Sequence, residues 1–483
     1  GGAWSDGGGL ANYGGNYTPP FPIDIDPDRL GAEAVDEELW NIWQWDHASW
    51  FEAAFSAESI STAVEEIPLG GGPYVGDYRW YSGYGGGVFV DTGSNVKFIH
   101  CTIRRNETIG GLTGQGGTQG DLGRNVEPLV PFEVPSYGGG VYCAADTTVE
   151  FKGCTFADNV ASGQAAFRID PYLGHGGGVA AEMTALVSFA DCNFVDNVAD
   201  TGGGLYVADA VIEVNDCNFV SNTALRGGGL TGIGGLIDVL ASVVQNNEAI
   251  LDAGDVNDID VSDILPLGAG MFLRSMDALV QDCNIVGNVS AGSGGGIYVR
   301  GEDSTLINNC MIQNNGAARD GGGISTNWHA TPVIRNCTFV GNSAPGSAGD
   351  PDKTGLGGAV FCGYESECTI VDSILWDNWA RLGTELAVGS GFELDRRCGK
   401  INVSYSDIFV GPNDVWVEEG CEVVYGEGII HAVAVEVARG DGPACIVILI
   451  LAHQLGVGCG KVDCARLSPG PRIDDQNGIS AVP

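Results

Sequence analysis

The chain has 483 residues, 62 acidic against 22 basic, for a formal net charge of −40. Such a surface repels nucleic-acid phosphates and anionic lipid and attracts cations, calcium among them, so nucleic acid is excluded as a partner. With 44% hydrophobic and 17% charged residues the composition is that of a folded chain, and its 77 glycines follow no three-residue period, which excludes collagen.

Residues 1–84 keep no regular repeat. Asp6-Gly7-Gly8-Gly9-Leu10 resembles one isolated coil corner, and the Pro-rich loop YTPPFPIDIDPDRL follows it. Residues 34–55 then place Leu39, Trp43, Trp50 and Ala54 on one face with acids in the first turn, which predicts an amphipathic helix. Five of the ten Trp lie before residue 51. The expectation is a cap over the first coil of a solenoid, the alternative an aromatic surface for sugars or another subunit. The chain starts at Gly1 rather than Met, which removal of a signal peptide would explain; an extracellular or cell-surface location is expected.

From Gly85 a repeat takes over. Between Cys192 and Gly229 one unit and the start of its copy lie 25 residues apart. Each unit holds a Gly triplet, an apolar strand, an alternating strand, then Cys-x-Phe-x-x-Asn. Triplets begin at Gly85, Gly138, Gly176, Gly202, Gly227, Gly268, Gly294, Gly321 and Gly357. A Cys or Ser follows each after 15 or 16 residues: Cys101, Cys154, Cys192, Cys217, Ser242, Cys283, Cys310, Cys337 and Ser373. Five further on stands Asn: Asn106, Asn159, Asn197, Asn222, Asn247, Asn288, Asn315, Asn342 and Asn378. A tenth, looser unit has Ser406 but Gly411 in the Asn position.

A period near 25 without helical spacing indicates β-coils. The apolar columns stack inward, glycine permits a tight corner, and the Asn amides can bond from coil to coil in a ladder. These readings predict an all-β fold: a right-handed, single-stranded parallel β-helix of about 10–12 coils with three short strands per coil. It occupies residues 85–410, between the N-terminal cap and an irregular β C-terminal cap or assembly segment at 411–483. Four insertions, 110–137, 163–175, 248–267 and 343–356, all lie between Asn and the next triplet, so they must form one wall of loops.

The Gly-Gly-Gly-Val and Cys-x-Phe-x-x-Asn signature, with Gly357-Gly358-Ala359-Val360 nearest to the letter, resembles the repeats of the polymorphic outer-membrane protein class. The tail at 467–483 resembles the closing segment of secreted bacterial proteins built from such repeats. The resemblance implies a right-handed β-helix and a class that includes adhesins, surface proteins and, more distantly, polysaccharide lyases.

Beyond the coils the apolar maximum, ACIVILILA at 444–452, has the length of a buried strand and falls short of the ~18 residues of a membrane span. No transmembrane segment is expected. Apolar strands at the solenoid ends point to self-association, up to a head-to-tail fibre.

Seven of the 15 Cys fall in the ladder column, where Ser substitutes, which reads as stacked free thiols. Outside the column, Cys362–Cys368, Cys398–Cys421 and Cys459–Cys464 are candidate disulfides. Asp252, Asp255, Asp258, Asp260 and Asp263 make a candidate calcium loop, without EF-hand spacing. Asn16 and Asn402 are candidate glycosylation sites.

An enzyme would need a carboxylate pair, or calcium with a basic residue, on one outer face. The 22 basic residues do not cluster along the coils, Arg168 with Asp170 and Arg104 with Arg105 are the nearest candidates, and the six His stand singly. The sequence therefore reads first as a non-catalytic, structural or adhesive surface protein. A polysaccharide lyase or hydrolase, or a carbohydrate binder, using the loop wall is the alternative.

Overall fold

The computed structural model describes residues 79–109, 133–162, 173–250, 265–302, 304–346, 354–390, 397–408 and 414–428, with short strands at 63–67, 111–113, 164–165, 433–438 and 445–449. The predicted helix at 34–55 lies outside the described residues, as do Asn16, Cys459, Cys464, Arg168, Asp170 and the five Asp of the candidate calcium loop.

Nine coils carry four strands among the described residues, one more than the sequence led us to expect. In the unit after Gly202 they are Leu205–Ala208, Val211–Asn215, Asn218–Val220 and Thr223–Ala224. The extra break falls at the Asn, which splits the last expected strand into a cysteine-side and an asparagine-side piece. Stacking the coils yields four sheets, named here by what precedes each strand. The glycine sheet has 13 strands, the long-strand sheet 11, the cysteine sheet 10 and the asparagine sheet 9. Pairing is parallel throughout these four except for the last pair of the glycine sheet, Val433–Ala438 against Cys445–Leu449, which is antiparallel. Eleven rungs at ~4.8 Å give a body about 50 Å long.

The corners explain the columns. The residue before each Cys or Ser has positive φ, as at Asp191 (56°), Asp216 (52°) and Asn309 (52°), and so does the residue before each Asn, as at Asp158 (54°), Asp196 (53°) and Asn314 (53°). Asp and Asn accept this left-handed geometry because their short polar side chains bond locally. The first triplet residue is different. At Gly202 (φ 68°) a Cβ would sit 2.5 Å from the carbonyl oxygen of Leu205, so only glycine fits. At Gly203 a Cβ would meet the Gly228 oxygen of the next coil, also at 2.5 Å.

Inside, like stacks on like. Phe151 lies on Phe189 with centroids 5.1 Å apart, and Phe194 on Phe219 at 4.4 Å. The apolar columns of the glycine, long-strand and cysteine sheets join in one continuous core from Val88 to Tyr425.

The Asn column is buried and hydrogen-bonded along its length. The Asn197 amide donates to Asn222 Oδ1 at 2.9 Å and to the Phe156 carbonyl at 2.9 Å, while the Asn197 backbone N–H donates to the same Asn222 Oδ1 at 3.0 Å. This triple pattern repeats from Asn159 through Asn342. The cysteine column does more than fill space. Cys192 Sγ donates to the Ala190 carbonyl at 3.3 Å, and the Cys217 backbone N–H donates to Ser242 Oγ at 3.0 Å. Ser replaces Cys without loss because a hydroxyl performs both tasks.

Of the cysteines outside the column, Cys398 and Cys421 form a disulfide. Cys362 and Cys368 are separate thiols, which corrects the expected pair. Each fills an inward position of a different sheet, and Cys362 Sγ donates instead to the Ser366 and Lys400 carbonyls, both at 3.2 Å.

Candidate functional site

In the glycine-sheet strands from Val88–Val90 to Val415–Glu418 the first and third residues are buried toward the core, so the second must face the other way. Those second residues form the row Phe89, Tyr142, Ala180, Tyr206, Thr231, Phe272, Tyr298, Ser325, Phe361, Ala387 and Trp416, held in register from coil to coil. Beside it runs the row that precedes each triplet: Tyr84, Tyr137, His175, Thr201 and onward. This outer face adjoins the corner from which the four insertions spring. Their stems are anchored. Asp200 Oδ2 accepts from the Gly174 N–H at 2.6 Å, Asp320 Oδ1 accepts from the Leu356 N–H at 3.1 Å, and the first two insertions pair with each other through Glu133–Val134 and Gln164–Ala165.

Aromatic side chains stack from coil to coil here, whereas the most exposed aromatics among the described residues, Trp376, Trp379 and Tyr405, stand on other faces. Tyr84 stacks on Tyr137 (5.2 Å, 8°), and Tyr137 on His175 (4.8 Å, 26°). The second row meets the first at an angle: Tyr142 lies 6.0 Å from Tyr137 with the rings inclined 56°, and His175 lies 4.6 Å from Tyr206. Together the rows make an aromatic cluster over coils one to four, in which Tyr142 and Tyr206 are buried and Tyr84, Phe89 and Tyr137 are half-buried. Where the outer row reaches its third rung it shrinks to Ala180, and Glu182, two residues on along the same strand, faces outward too.

Glu182 is half-buried, and its Oε2 accepts from Tyr142 Oη at 3.2 Å. Burial pushes its carboxyl up to about 7; the Tyr142 hydrogen bond works against this, and the Asp209 charge adds to it. Burial holds the His175 imidazole down to about 4, so it is neutral, and its Nδ1 has no partner among the described residues. Burial, with the Glu182 charge next, raises the Tyr137, Tyr142 and Tyr206 phenols, which stay protonated.

Further along the face the chemistry changes sign. Arg274 and Arg300 stand side by side in register, Arg226 lies 5.7 Å over Phe272, and Arg300 lies 4.7 Å over Trp328. Residues scattered along the chain are thus gathered by the coil repeat, a correction to the expectation that basic residues do not cluster. Arg104 and Arg105 are elsewhere, on the cysteine sheet and its corner, where Arg105 faces Asp158 at 3.9 Å. Asn402, from the long-strand sheet, donates to Glu367 Oε1 at 2.7 Å. Among the described residues no group of three His, Cys, Asp or Glu is arranged to hold a metal ion.

Sequence reasoning placed the loop wall but missed the face beside it. The signal was present: strict alternation after each triplet sends Tyr142, Tyr206, Phe272 and Tyr298 outward.

Four stacked parallel sheets with left-handed corners and a buried Asn column define a parallel β-helix. The chain belongs to the right-handed β-helix family, whose description, right handed beta helix region, matches residues 77–249 and 241–430. None of the curated proteins and none of the solved structures compared with the chain matches it.

Proposed function

We propose that the protein is a secreted or cell-surface β-helix that binds glycans, adhesive rather than catalytic, and that its recognition face is the row Tyr84, Tyr137 and His175 beside the glycine sheet at coils one to three. One observation carries the reading: a half-buried row of stacked rings, Tyr84, Tyr137 and His175, runs next to the corner that bears the insertions. Tyrosine rings offer a flat apolar face for a sugar ring and a hydroxyl at its edge, the combination sugar recognition uses. The likeness to polymorphic outer-membrane repeats supports the surface location. Titration of intrinsic fluorescence with a broad glycan panel tests the proposal; binding by the native chain and its loss in Tyr137→Ala are expected. Absence of binding across the panel, or unchanged binding in that variant, would sink it.

Glu182 favours a second reading, turnover of the bound glycan. A carboxyl pushed up to about 7 and touched by Tyr142 has the protonation behaviour of a general acid. Release of reducing ends or unsaturated sugars from the same panel distinguishes turnover from binding alone.

A further inference from the structure

We infer that Arg274 and Arg300 form a site for a tetrahedral oxyanion, a sulfate or phosphate ester carried on a glycan; the glycan part rests on the reading above, the oxyanion part does not. Three observations lead there. First, the two arginines end neighbouring strands of the glycine sheet in register, so their Cα atoms lie one rung, about 4.8 Å, apart. Both side chains fall at outward positions, Arg274 exposed and Arg300 half-buried. Like charges opposite each other on paired strands destabilise a sheet, so the pair costs stability until an anion joins it.

Second, the pair has no acid, although the chain holds 62 acidic residues against 22 basic. Lys97, Arg105, Arg335, Arg397 and Lys400 each face a carboxylate within 4.0 Å. No ion pair or side-chain hydrogen bond joins Arg274 or Arg300 to any of the described residues, and the partner of Arg300 is a ring. The acids at hand are engaged elsewhere. Glu365 accepts from Arg397 at 3.1 Å and faces His329 at 3.2 Å, and Asp320 accepts from the Leu356 N–H. Asp277 opens the next strand, on the long-strand sheet, and Glu302 lies in the turn after Arg300; neither pairs with the arginines. Arg226 adds to the positive field: burial raises the Tyr298 phenol, and the charges of Arg300 and Arg226 both act on it in the opposite sense.

Third, Arg300 is held in place. Its guanidinium lies 4.7 Å over the Trp328 ring, and Trp328 packs in turn on Tyr364 at 4.4 Å. Stacking fixes the planar group by its face and leaves its N–H edge to take a ligand, with less rotamer freedom to lose on binding. The spacing then selects the anion. A carboxylate has two oxygens, and one guanidinium fork satisfies both. A tetrahedral ester presents three acceptor oxygens, enough to bridge two forks one rung apart. A neutral sugar would leave both cations unbalanced.

The test is calorimetric titration of the full chain at near-physiological salt, where repulsion by the net charge is screened beyond about 8 Å. The ligands are glucose 6-sulfate, glucose 6-phosphate, glucuronate and inorganic sulfate. Both esters are expected to bind about tenfold or more tightly than glucuronate, and the ratio between them tells sulfate from phosphate. Arg274→Gln combined with Arg300→Gln is expected to abolish ester binding. Lys152→Gln, which removes an exposed cation from the long-strand sheet, is expected to leave it intact. Arg300→Lys keeps the charge but not the fork, and is expected to erase the preference over glucuronate. Equal affinity for glucuronate and the esters in the native chain overturns the tetrahedral assignment. Inorganic sulfate bound as tightly as glucose 6-sulfate overturns the glycan part. Undiminished ester binding in the double Gln variant overturns the site, and binding of neither ester overturns the inference as a whole. The glycan reading is tested separately by Tyr137→Ala, which is expected to leave ester binding unchanged.

Discussion

At the residue scale, the Asn column shows how one side chain can satisfy four polar groups at once. Each Asn gives its amide to two acceptors and receives the neighbouring coil's backbone N–H and amide on a single oxygen. Asn222, fully buried, contacts Asn247 Oδ1, the Phe194 carbonyl and the Asn197 donors. Asn222→Ala strands several of these in a dry corner, and ~1 kcal/mol per orphaned group sums to about 3 kcal/mol lost, measurable by denaturant unfolding. Glu385 is the exception that accounts for the end of the ladder. The next coil has Gly411 where Asn is due, and the Asn378 amide and backbone N–H donate instead to Glu385, at 2.6 and 3.3 Å. Glu385 occupies the third position of a triplet, where other coils have Gly or Ala. The sequence displayed the missing Asn but not its substitute, because only the coiled chain brings residue 385 over the ladder.

At the element scale, the corners separate what a column needs from what it tolerates. The cysteine column asks for a small side chain that both donates and accepts. Cys217→Ser is expected to leave stability within about 1 kcal/mol, whereas Cys217→Ala, unable to accept from the Cys192 N–H, is expected to lose about 1–2 kcal/mol. Thermal melts of the two variants against the native chain decide this. The two Asp/Asn corners and the glycine corner share positive φ, yet only in the last does a Cβ overlap its own strand. The four-strand coil was not legible for a related reason. Two- and three-residue strands such as Asn218–Val220 and Thr223–Ala224 are too short for periodicity to resolve, and the corner between them is visible only as backbone geometry.

For the whole molecule, three raised carboxyls, opposed in part by the depressed imidazole of His175, set the pH dependence of stability. Burial raises Glu182, Asp320 and Glu385 to about 7 from ordinary values of 4.5, 3.8 and 4.5. Between those limits the folded chain holds protons that the unfolded chain has released, so stability falls as pH rises from about 4 to 7 and then levels. A lower melting temperature at pH 8 than at pH 5 is the expected result, and Glu385→Gln is expected to flatten the slope; a melting temperature that rises over this range contradicts the argument. The Cys398–Cys421 bond closes a loop of 23 residues near the C-terminal coils. By the chain-entropy argument its removal in a double Ser variant is expected to lower unfolding free energy by about 3 kcal/mol. At the same end the glycine sheet continues past the other three, through Val433–Ala438 to an antiparallel strand. The proposal that copies associate through the solenoid ends is checked by sedimentation across a concentration series, where a single monomeric species throughout argues against it.

By itself the sequence determined the solenoid, its register, the Asn ladder and the address of the insertions, because each depends on spacing that repeats from coil to coil. Tertiary structure alone decided the extra strand, the separate thiols of Cys362 and Cys368, the Glu385 substitution and the gathering of Tyr142, His175, Glu182 and Tyr206. These depend on which residues the coil brings together, from seven positions apart at Glu385 and Asn378 to 40 at Tyr142 and Glu182, and on burial that shifts their chemistry once they meet.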